Sequence, residues 1–144
     1  MSDVFEKGDN GFEFVNEDAV LTPADTDRFL KRLNNELVRA QMDIRRARKQ
    51  KADCDEAYQR KRLPLLMSEE CPDVGRGAGQ VTVEERDAWI NSQIYGEYTA
   101  LRNAKDAMED AVGYGWLVKD QIRVMQSLNN NAKAIYDTYR GGGR

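Results

Sequence analysis

Residues 23–63 read PADTDRFLKRLNNELVRAQMDIRRARKQKADCDEAYQRKRL, and the spacing inside this stretch decides the fold. Apolar residues recur in a three-then-four rhythm at Leu30, Leu33, Leu37, Ala40, Ile44 and Ala47, then, after Lys51, at Cys54 and Tyr58. That is the seam of a heptad repeat, and a seam needs a partner helix. No Gly or Pro interrupts it before Pro64, so the spacing predicts one helix of roughly 40 residues, about 60 Å long at 1.5 Å per residue. Thr22 is its expected N-cap, with Pro23 at the first helical position and Asp25 and Asp27 at the positive end of the dipole. Pro64 is expected to end it at Leu63.

With Leu30 at position a, Arg32, Arg39, Arg46 and Arg60 all fall at position c, broken only by Asp53. Lys31 and Arg45 lie beside them at b, Lys49 at f, and the acids Glu36 and Asp43 at g. Positive charge is thus sorted onto an outward stripe, whereas an ordinary coiled-coil surface intersperses the signs. The whole-chain charge of −3 hides this sorting. Residues 1–27 hold eight acids and one Lys, residues 28–62 hold twelve bases and five acids, and residues 63–144 hold nine bases and twelve acids. The local balances are therefore −7, +7 and −3. Local charge governs attraction, since screening acts over about 8 Å.

The remaining chain is read as a partner for that helix. Residues 63–81 contain Pro64, Pro72, Gly75, Gly77 and Gly79, a hinge composition. Arg76 between two glycines offers a phosphate contact as the less favoured alternative to a plain connector. A second helix opens at Thr82, with Glu85 completing a capping box. Its seam is Ile90, Ile94, Glu97, Leu101, Ala104, Met108, Ala111, Gly115, Val118, Ile122 and Met125. Gly113 and Gly115 mark a kink or a close helix approach. The run Ser127-Leu-Asn-Asn-Asn131 is a candidate break before a short last helix. The expected fold is all-α: an elongated antiparallel helical hairpin, coiled-coil-like, with a short C-terminal helix, and oligomeric. Its expected divisions are an acidic flexible arm at residues 1–21, a hairpin at 22–140 and a disordered tail at 141–144.

Composition narrows the chemistry. The chain has no His, which removes the usual Ser-His and Cys-His nucleophile pairs. The acid pairs Glu69-Glu70, Glu84-Glu85 and Glu109-Asp110 are adjacent in sequence, so on a helix they diverge instead of converging on a metal. No enzyme activity, metal or cofactor is expected. Cys54 and Cys71 are read as reduced thiols. No long apolar run or signal peptide is found, so a cytosolic location without membrane association is expected.

The candidate nucleic-acid-binding residues are Arg32, Arg39, Arg45, Arg46, Arg48, Lys49, Lys51, Arg60, Lys61 and Arg62. Without a helix-turn-helix or finger signature, their contacts are expected to be to the nucleic-acid backbone, salt-sensitive and independent of sequence. Tyr58 is expected to pack on the second helix rather than stack on a base. The competing reading is a structural or adaptor coiled-coil protein, such as a phage assembly or scaffolding factor, whose basic face meets protein.

The order of features resembles a family. The basic helix ending Ala47-Arg-Lys-Gln-Lys-Ala-Asp-Cys-Asp-Glu-Ala-Tyr58 is followed by a polar Gly-containing loop, then by a helix ending Gly115-Trp-Leu-Val-Lys-Asp-Gln-Ile-Arg-Val-Met125. Over residues 38–132 this layout is similar to that of the UvsY-type recombination mediators of bacteriophages. The resemblance implies a small helical oligomer that binds single-stranded DNA and helps a RecA-like recombinase displace single-strand-binding protein in the infected host's cytoplasm. It places DNA contacts on Arg48, Lys49 and Lys51, with Arg60 and Lys61 as weaker matches, and subunit association around Val118, Ile122 and Met125; with the adjoining Trp116 these are the candidate self-association residues. The acidic aromatic arm and the longer Gly/Pro connector depart from that layout.

Overall fold

A computed structural model describes the backbone of residues 5–7 and 13–15 and all of residues 20–142. The readings made above for the rest of the acidic arm and for residues 143–144 lie outside the described residues. Three helices carry the fold: α1 Pro23–Leu66, α2 Val83–Gln93 and α3 Tyr95–Gly141. A small antiparallel ribbon precedes them, β1 Phe5–Lys7 against β2 Glu13–Val15, with Phe5 opposite Val15 and Lys7 opposite Glu13. The chain forms two compact units: Met1–Arg39 with Gly115–Arg144, and Ala40–Tyr114. Segments of α1 and α3 contribute to both.

In the first unit α1 begins with a reciprocal cap. The Asp25 N–H donates to Thr22 Oγ1 at 3.3 Å, while the Thr22 hydroxyl and N–H both donate to Asp25 Oδ2, at 2.8 and 3.3 Å. These bonds hold the Asp25 carboxyl below its usual range, the side-chain bond from Thr22 most of all. A depressed folded-state pKa means that this contribution to stability is present above the ordinary carboxylate range and is lost as pH falls through the lowered value. Thr22→Ala is therefore expected to move the Asp25 midpoint, followed by NMR titration, up toward that ordinary range. An unmoved midpoint would contradict the assignment.

The core of this unit is built from Phe29, Leu33 and Met125, with Leu30, Ile122 and Leu128 packed around them. Next to it lies a polar contact. Thr26, with no exposed surface, donates its hydroxyl to Asn129 Oδ1, and Asn129 Nδ2 donates to Asp27 Oδ1 at 3.0 Å. Thr26 lies seven before Leu33, and Asn129 seven after Ile122, so this pair continues both heptads. The expected break at residues 127–131 and the separate short last helix are corrected here: α3 runs unbroken to Gly141. Each Asn costs about 0.5 kcal/mol of helix propensity, and the buried bonds of Asn129 offset that cost.

In the second unit α1, α2 and the start of α3 pack together. The Tyr58 hydroxyl donates to Asn91 Oδ1 and Arg62 reaches Asp87 at 3.3 Å, so α1 and α2 run antiparallel. Tyr58 also lies near Tyr98, with ring centroids 6.4 Å apart and tilted by 46°. Its packing role is thus made with α2 and α3. Ile90, Ile94, Leu101 and Ala104 are buried, as the seam predicts. The capping box at Thr82 and Glu85 forms as read from sequence.

Two boundaries differ from expectation. α1 continues through Pro64 to Leu66, because a proline in the last turn keeps a helical φ and removes a single hydrogen bond. The second helix is divided at Ile94, whose φ of −123° and ψ of 47° leave the helical region. Gly96 weakens the helix just beyond that point. The connector at residues 67–82 is internally bonded: Val81 N–H donates to the Asp73 carbonyl at 2.8 Å and Gly75 N–H to the Val81 carbonyl at 3.1 Å. Gly79 takes a φ of 78°, a conformation suited to glycine.

Candidate nucleic-acid interface

Burial along α1 follows the heptad. Every seam position from Leu30 to Tyr58 is buried or half-buried, and every c-position Arg is exposed. The seam hides the apolar edge and leaves the cations in water. In the first unit these outward cations are Arg32 and Arg39. In the second they are Arg45, Arg46, Arg48, Lys49 and Arg60.

The cations differ in what already neutralises them. Arg39 pairs with Glu36 and Arg46 with Asp43, each at 3.4 Å, and Arg60 pairs with Glu56 at 2.5 Å. All three pairs lie within α1, and their Arg side chains stay about three-quarters exposed, at 74%, 75% and 76%. Exposed pairs of this kind contribute at most about 1 kcal/mol, so an incoming phosphate competes for them readily. Arg45, Arg48 and Lys49 make no ion pair among the described residues. Spaced i, i+3 and i+4, they share one face of the helix.

Lys61 and Arg62 are different. Lys61 Nζ donates to Glu97 Oε1 of α3, and this bond holds the Glu97 carboxyl below its usual range. Arg62 meets Asp87 of α2, whose Oδ1 also accepts from Arg86 at 3.1 and 3.3 Å. Both cations are engaged by carboxylates of neighbouring helices, Lys61 with 60% of its side chain still exposed and Arg62 with 23%. Lys51 is half-buried on the seam. The backbone donors beside Arg76 are occupied as well: Gly77 N–H donates to Gln80 Oε1 at 2.8 Å and Gly75 N–H to Val81. That leaves the loop without the phosphate nest weighed from sequence.

The proposed association residues also separate. Val118 and Met125 are buried inside the first unit, and Ile122 packs on its core, so one chain already covers them. Trp116 remains 57% exposed. Other apolar side chains face solvent in the same unit: Leu117 and Val124, and beyond Ala132 the seam continues uncovered through Ile135, Tyr136 and Tyr139. Sequence reasoning placed Ile135, Tyr136 and Tyr139 on a separate short helix and did not join them to the seam, which it ended at Met125. Tyr136 and Tyr139 stand seven after Asn129 and Ala132.

Among the described residues no cluster of His, Cys, Asp or Glu is arranged to hold a metal. Cys54 and Cys71 are free thiols, both half-buried. Among the described residues, no helix is long and apolar enough to cross a membrane. Compared with known proteins, the chain matches no family model, no curated protein and no solved structure.

Proposed function

We propose that this protein binds single-stranded DNA through its backbone phosphates, without sequence preference, and acts as a recombination mediator that helps load a RecA-like recombinase. The observation that carries the binding is the face formed by Arg45, Arg48 and Lys49: three exposed cations that make no ion pair among the described residues, flanked by Arg46. Nothing on this face discriminates bases, so affinity comes from charge and counterion release. The mediator role, with single-strand-binding protein as the displaced partner and a host cytoplasm as the setting, rests on the likeness of residues 38–132 to phage recombination mediators.

In this reading the helices pair as an antiparallel coiled-coil-like hairpin, and copies of the chain associate. Association through the uncovered side chains Ile135, Tyr136 and Tyr139 multiplies the basic faces and turns modest single contacts into avid binding. Those same uncovered side chains favour a second reading, an assembly or adaptor protein whose contacts are all with protein. Fluorescence anisotropy with labelled oligo-dT separates the two. The DNA-binding reading predicts saturable binding, competed equally by oligonucleotides of unrelated sequence. An unchanged anisotropy at micromolar protein leaves the adaptor reading.

A further inference from the structure

A second ordered row of cations lies on α3 in the first unit. Trp116, Lys119, Arg123, Gln126, Asn130, Lys133, Asp137 and Arg140 step along the helix by three and four residues, and all are exposed. This spacing keeps them on one face, about 36 Å from first to last along the helix axis. All four Lys and Arg residues between 115 and 142 fall on this row. Of the two acids in that span, Asp137 is on the row, while Asp120 is off it and 3.7 Å from Arg123. Trp116 stands at one end, 57% exposed, with Lys119 Nζ 5.0 Å from its ring centroid.

We infer that this row is a separate binding site for single-stranded nucleic acid, in which a base stacks on Trp116 and phosphates lie along Lys119, Arg123, Lys133 and Arg140. The inference extends the nucleic-acid reading to a different helix face, with its own residues. An exposed indole beside ordered cations matches the two halves of an unpaired nucleotide, a flat base and an anionic phosphate. Duplex DNA offers the phosphates but keeps its base faces stacked. The polar Gln126 and Asn130 in the middle of the row disfavour a lipid surface, which asks for an apolar face.

Trp116 reports on its own site. In the full-length Trp89→Phe chain, oligo-dT is expected to quench Trp116 emission, and added salt to restore it. Quenching should persist at saturation when Arg45, Arg48 and Lys49 are replaced by Ala. If Trp89→Phe impairs folding, Trp116→Phe in the natural chain serves instead: the quenched part of the emission disappears and the Trp89 part stays. Lys119→Ala with Arg123→Ala should weaken binding about tenfold with an unchanged circular dichroism spectrum. Oligo-dT binding by anisotropy with no change in Trp116 emission overturns the α3 site and leaves the α1 face standing. No binding by either readout overturns both. A blue shift with vesicles of anionic lipid, without quenching by oligo-dT, assigns the row to a membrane surface and overturns the inference.

Discussion

Replacing Arg45, Arg48 and Lys49 together by alanine will weaken oligo-dT binding about a hundredfold at 0.1 M salt, since each single-strand phosphate contact contributes about 0.7 of a log unit there. The three side chains are exposed and touch no carboxylate among the described residues, so the helical circular dichroism signal should not change. The informative comparison is Arg39→Ala, Arg46→Ala and Arg60→Ala in one chain. It removes the same formal charge, but these guanidinium groups already lie against Glu36, Asp43 and Glu56. Each truncation also frees an acid to repel phosphate, yet each original cation was partly neutralised, so the loss should be smaller, about tenfold. Equal losses would mean that only net charge matters. A reversed order would move the contact face to the c positions.

Phe29→Ala is expected to cost about 3–4 kcal/mol of unfolding free energy, read from the midpoint of chemical denaturation. The ring is buried against Leu33 and Met125, with Leu30, Ile122 and Leu128 packed around them. A cost below about 1 kcal/mol would show that this core does not organise the unit. Asn129→Ala should cost less, about 1–2 kcal/mol, because the Thr26 hydroxyl can turn to the Pro23 carbonyl 3.0 Å away. The double change Thr26→Val with Asn129→Leu should recover stability, since an apolar pair avoids burying polar groups. What it should lose is uniqueness: a polar residue at one seam position fixes register, and removing it permits shifted pairings.

How much of this was legible in the sequence depends on whether local or distant forces decide each feature. The α1 seam was readable because burial of Leu33, Ala40 and Tyr58 follows directly from a repeat of seven. The caps at Thr22 and Thr82 were readable because they need only residues three apart. Three boundaries were not. Asn129 is a poor helix former whose partner, Thr26, is distant in the chain, so its local preference misled. Ile94 leaves the helical region two residues before Gly96, and Pro64 sits late enough in its helix to be tolerated. In the candidate site, the exposed cations were found by spacing alone. That Lys61 and Arg62 turn to Glu97 and Asp87 was not, since those acids come from other helices. The α3 row was visible in the spacing of Lys119, Arg123, Lys133 and Arg140, but appears only once the heptad is carried past Met125.

The most direct measurement is the salt dependence of oligo-dT affinity for the unmodified chain. If the exposed cations of α1 neutralise DNA phosphates, the logarithm of the association constant falls linearly with the logarithm of salt concentration, with a slope of about −3 to −5. In the Arg45→Ala, Arg48→Ala, Lys49→Ala chain the slope shrinks by about 2. A slope near zero, or one that the triple replacement leaves unchanged, would contradict the proposal that these residues hold DNA.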